Sequence, residues 1–90
     1  FTPAYNLRGK AYAIIGNYGQ AANDFETVVA LSPQQADGYK NLGFLCLLQK
    51  KEEAAIKYLS QALALTPGDE KIKRTLAKLR GFQGPNPKKR

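Results

Sequence analysis

Histidine is absent from this 90-residue chain, and cysteine occurs once, at Cys46. A lone thiol excludes an internal disulfide. Without imidazole, neither an ordinary zinc constellation nor a histidine-activated nucleophile can be built. Cys46 sits in the apolar run Phe44-Leu45-Cys46-Leu47-Leu48 and is read as an inert buried thiol. That run is far shorter than the roughly 20 residues that span a bilayer. Gly9 and Gly43 stand singly, with no G-x-x-x-x-G-K pattern, so no phosphate-cradling loop is encoded. Glu52 and Glu53 are adjacent, but they fall in the first turn of an expected helix, where the helix dipole accounts for them. No constellation calls for a pKa moved toward neutrality. The chain is therefore expected not to be an enzyme, and no cofactor or metal is expected.

Acidic residues are scarce at one end only. The net charge is +7, yet residues 1–35 balance Arg8 and Lys10 against Asp24 and Glu26. Residues 36–69 balance Lys40, Lys50, Lys51 and Lys57 against Asp37, Glu52, Glu53 and Asp69. The whole excess lies after Asp69, where Glu70 is the single acid among eight basic groups. Electrostatic attraction should originate there. Ninety residues make one small domain, burying roughly 60–65% of its unfolded surface, so its core must be thin.

The chain reads as helices throughout. Thr2-Pro3 is a helix start, with the hydroxyl placed to cap an amide and proline where its missing N–H costs nothing. Helices are expected over about Pro3 to Ile15, Tyr18 or Gly19 to Leu31, Gln35 to Leu48, Glu52 to Leu65, and Glu70 to Leu79 or Arg80. Gly16-Asn17 closes the first, and Ser32-Pro33 and Thr66-Pro67 break the second and fourth. Gln49-Lys50-Lys51 encodes its turn less strongly. Ala21, Ala22, Phe25 and Val28 form one buried stripe; Tyr39, Leu42, Gly43 and Cys46, then Ala55, Leu59, Ala62 and Leu63, and finally Ile72, Leu76 and Leu79 form the others. Asp69 is the expected cap of the fifth helix. Residues 81–90, with four Gly or Pro residues and no periodicity, read as a flexible basic tail.

The pattern recurs at an offset of 34 residues: Tyr5 falls on Tyr39, Gly9 on Gly43, Ala21 on Ala55, Phe25 on Leu59, Leu31 on Leu65 and Pro33 on Pro67. A two-helix unit of this period resembles the tetratricopeptide repeat family, with repeats over about 2–35 and 36–69 and a capping helix over about 70–80. The resemblance implies an all-α helix-turn-helix solenoid of five helices, a single domain over residues 1–80, in which each repeat buries a face against its neighbours.

It also implies a concave groove lined by the first helix of each repeat. Those helices would present Asn6, Leu7, Lys10 and Ile14, then Lys40, Asn41, Phe44 and Leu48, then Lys71, Arg74, Thr75 and Lys78. The family's chaperone-binding branch grips a terminal carboxylate with a fixed basic and amide set. This chain keeps Asn41 and Lys71 of that set and departs from it at Asn6, Lys10 and Thr75, with Lys40 and Arg74 on adjacent turns.

The expected function is a protein-interaction module, adaptor or assembly factor, holding an acidic or mixed acidic and apolar peptide. Its candidate site is Asn6, Lys10, Lys40, Asn41, Phe44, Lys71, Arg74 and Lys78. Two alternatives stand beside it. The basic end, with Lys88-Lys89-Arg90, could contact RNA or anionic lipid, although no aromatic platform is interleaved with it. The first-helix edge around Ala4, Leu7 and Ala11 could stack on a second copy or on upstream repeats. The chain opens at Phe1 with no signal-peptide pattern and reads as a piece of something longer, with the cytoplasm as the default compartment.

Overall fold

The computed structural model describes residues 2–83 as five α-helices: α1 (Thr2–Ile14), α2 (Tyr18–Leu31), α3 (Ala36–Leu48), α4 (Glu52–Leu65) and α5 (Glu70–Gln83). Most of the expected tail, residues 84–90, lies outside the described residues. Helix α5 extends past its expected end at Leu79 or Arg80 and takes in Gly81. One helical glycine costs only about 1 kcal/mol, too little to stop a helix by itself.

The two repeats turn alike. Gly16 has φ 85°, and Lys50, its equivalent one period later, has φ 62°. The Asn17 amide donates to the Tyr12 carbonyl at 2.8 Å, and Lys51 repeats the bond to Cys46 at 2.8 Å. These bonds across a left-handed residue satisfy carbonyls that the helix end leaves open. The weakly encoded turn thus adopts the same geometry as the glycine turn, because packing of α3 on α4 imposes it on a lysine. At the helix starts, Asn17 Oδ1 accepts from the Gln20 amide at 3.4 Å, and Asp69 Oδ1 accepts from the Ile72 amide at 3.1 Å, as expected of a cap. Thr2 is the first residue of α1, and its hydroxyl shares a 3.2 Å hydrogen bond with that of Ser32, tying this end to the close of α2.

Packing follows the repeat. A Cβ added to Gly9 would lie 2.5 Å from the Phe25 ring, and one added to Gly43 would lie 2.6 Å from Leu59 Cγ. Glycine is what lets each first helix approach its second. Between repeats, a Cβ on Gly38 would come within 2.7 Å of Val29 Cγ2 and 3.0 Å of the Val29 backbone nitrogen, a contact that the stripe analysis did not foresee. Leu45 is also more deeply buried than expected: it joins Ala21, Phe25 and Leu42 in one cluster. A second cluster joins Cys46, Ala55, Leu59 and Ala62 to Ile72, Leu76 and Leu79 of α5. Ala22, Tyr39 and Leu63 of the expected stripes are half-buried at the edges.

Helix α5 keeps the register of a first helix, since Ile72, Leu76 and Leu79 are one period beyond Gly38, Leu42 and Leu45. Its outer positions, Lys73, Ala77 and Arg80, are exposed, so this side of α5 faces water. One period earlier the same register holds Ala4, Arg8 and Ala11, all exposed. There Arg8 Nε and Nη2 donate to the two carboxylate oxygens of Asp24, each at 2.8 Å. Asp24 is only 4% exposed. In the second repeat Leu42 and Tyr58 occupy these two positions, an apolar pair where a neighbouring helix is present. The Arg8 guanidinium also lies 5.8 Å from the ring centres of both Tyr5 and Tyr12. Its two hydrogen bonds hold the Asp24 carboxyl below the usual carboxylate range, against the opposing effect of burial.

Gly38→Ala is expected to destabilise the domain by roughly 1–3 kcal/mol, because the contact includes backbone that cannot rotate away. Lys50→Gly is expected to stabilise it by about 1 kcal/mol through relief of the left-handed conformation. Urea denaturation of both variants, with Gly19→Ala as a control at an open position, measures these opposite signs. A second expectation concerns acid. The depressed Asp24 pKa contributes stability above about pH 4, the unfolded carboxylate value, and the contribution is lost as pH falls through the folded value. Asp24→Asn should lower stability at pH 7 and leave a flatter loss on acidification, read from melting curves across pH 2–7.

Candidate peptide-binding groove

A groove of about 270 Å³ lies between the C-terminal halves of α1 and α3. Its floor is Phe25, from α2, with Leu45 and Ala13; its walls are Ile14, Phe44 and Leu48, and its polar rim is Lys10 and Asn41. Phe25 and Leu45 are almost fully buried, whereas Ile14 is 84% exposed and Leu48 56% exposed. Ile14 and Leu48 are one period apart, as are Lys10 and Phe44, so the groove is a product of the repeat.

Polar order adjoins it. Asn41 Nδ2 donates to Asn6 Oδ1 at 2.9 Å, linking α1 to α3. Each amide keeps hydrogen-bonding capacity beyond that bond, since a carboxamide has two donors and an acceptor oxygen. Lys71 Nζ lies 5.1 Å from the centre of the Phe44 ring, a cation–π contact that ties α5 to the groove wall. Lys40 Nζ stands 3.9 Å from Asp69 Oδ2, at the turn before α5.

The candidate residues therefore divide by place. Lys10, Asn41 and Phe44 line the groove, while Asn6 and Lys71 contact residues that do. Lys40 is engaged with Asp69. Arg74 and Lys78 are exposed on α5, beside Lys71 in helical register, and do not line the cavity. Thr75, on the same side, donates its hydroxyl to the Lys71 carbonyl at 2.8 Å. Ala13, Phe25 and Leu45 were not among the candidates. Phe25 read as a packing residue, and Leu45 falls between two expected faces; only the packing of α1, α2 and α3 brings these two and Ala13 to one cavity.

Among the described residues no group of three or more thiol or carboxylate side chains could hold a metal ion, and no helix is long and apolar enough to cross a membrane. Cys46 is buried, and its thiol pKa is raised by desolvation, with Lys51 opposing the shift. The surroundings therefore suppress the thiolate, the form a nucleophile needs. No catalytic constellation is present among the described residues.

The sequence model of the tetratricopeptide repeat family matches residues 16–79. The Hsp70-Hsp90 organizing protein of Triticum aestivum is 37% identical over 73 residues, covering 81% of this chain and 13% of that protein. The chain thus spans a small part of the relative it matches. It belongs to the tetratricopeptide repeat family, as the repeat spacing implies, and its general function is protein–protein interaction.

The Cys46 thiol is expected to react with an aromatic disulfide reagent at least tenfold more slowly in the native chain than in urea at the same pH. Equal rates would mean that the α3 and α4 contact opens freely.

Proposed function

We propose that this domain is an adaptor or assembly module whose α1, α3 and α5 face holds a partner's peptide of mixed acidic and apolar character. One observation carries the reading: Ile14 and Leu48 stand exposed around an apolar hollow, beside lysines at Lys10 and Lys71. Exposed aliphatic side chains gain roughly 25 cal/mol per Å² when covered, so an apolar residue seated here would supply most of the affinity. Positive charge would favour acidic partners and speed encounter. The Asn6 and Asn41 amides offer donors and acceptors to the backbone of such a peptide.

The name of the Triticum aestivum relative describes a protein that organises two others, which supports an adaptor reading here at the level of role. The residues do not favour carrying over its partners, since Asn6, Lys10 and Thr75 depart from the carboxylate-gripping pattern.

The test is charge reversal at exposed positions. Lys71→Glu combined with Arg74→Glu should weaken binding of an acidic and apolar peptide at least tenfold at low salt. It should also flatten the dependence on ionic strength, with far-UV circular dichroism unchanged. Unaltered affinity and salt response in a fluorescence titration would overturn the proposal.

A further inference from the structure

The arrangement of cations around the groove bears on what part of a partner it can take. A chain terminus is gripped by charge-assisted donors that converge on one carboxylate. Here only Lys10 lines the cavity beside Asn41, while Lys40 stands 3.9 Å from Asp69 and Lys71 lies over the Phe44 ring at 5.1 Å. The basic side chains of α5 form a row rather than a converging set. Lys71, Arg74 and Lys78 follow at spacings of three and four residues, so they form a ridge along one side of α5, and all three are exposed. At a rise of about 1.5 Å per residue, that ridge is on the order of 10 Å long. A row of this length matches several side-chain carboxylates in succession. Phe44 joins the two regions, since one ring both walls the cavity and supports Lys71.

We infer that the occupant is an internal segment of a partner chain, in which one large apolar residue enters the cavity between α1 and α3 and neighbouring acidic side chains run along the α5 ridge. The inference rests on the peptide-groove reading above and adds to it the ligand's chemistry and its independence of a free terminus. The cavity has no charged wall other than Lys10, so the anchor is a leucine-like or aromatic side chain. Specificity then comes from the anchor, and charge sets the rate and the salt response.

Fluorescein-labelled short peptides with one leucine flanked by glutamates, prepared as the free acid and as the C-terminal amide, test this. Anisotropy gives affinity, and spectra of the isotope-labelled chain locate the contact. The acid and the amide should bind within twofold of each other and shift Ile14, Phe44, Leu45 and Leu48. Replacing the leucine by alanine, or the neutral change Leu48→Gln at a mostly exposed position of the domain, should weaken binding at least tenfold, with far-UV circular dichroism of the variant unchanged. Loss of binding on amidation would overturn the inference and leave the peptide-groove reading standing. Equal binding of the alanine peptide, with shifts confined to α5, would reduce the site to general attraction of polyanions and overturn the anchor. Absence of groove shifts with every peptide would overturn the groove reading itself.

Discussion

The structure depends on close approach of helices at three glycines. Gly9 and Gly43 bring each first helix onto the Phe25 ring and Leu59 of its partner, and Gly38 brings the second repeat onto Val29 of the first. A side chain at any of these sites would enter space already filled. Because close-packed interiors transmit such displacements, the separation of the helices, and with it the groove between α1 and α3, is set by these contacts. The groove is the place where α1 and α3 leave Ile14 and Leu48 largely exposed.

A second regularity is the changing chemistry of one register position. Leu42 and Leu76 fill it in α3 and α5, and in α1 it holds Arg8, exposed and paired with Asp24. A bidentate ion pair satisfies a carboxylate that is nearly buried while presenting a guanidinium to water. At the other end α5 buries Ile72, Leu76 and Leu79 and turns charged residues outward. Lys71, Arg74 and Lys78 are exposed along another side of the same helix, and Lys71 lies over Phe44 of the groove.

Much of this was legible in the residues. Period 34, with tyrosine, glycine, alanine and proline at matching places, determined five helices, their pairing and most of the buried stripes. Gly16 and Asp69 announced their turn and cap because backbone conformation and side-chain oxygen act over only a few residues, whereas Asn17, read as part of the first helix's close, caps α2. The fifth helix was less well bounded, since Gly81 is a weak breaker. Asp24 and Arg8 read as two cancelling charges, and nothing local marks them as partners 16 residues apart.

What the sequence alone determined is therefore the repeat, because propensity, capping and hydrophobic period are local and accumulate over each unit. What only the tertiary structure decided is which side chains meet across units. The bond from Asn41 to Asn6, the stacking of Lys71 on Phe44, the capture of Lys40 by Asp69, and the joining of Ala13, Phe25 and Leu45 in one cavity depend on interhelical angles. Those angles arise from packing of many side chains at once, so no single spacing in the chain encodes them.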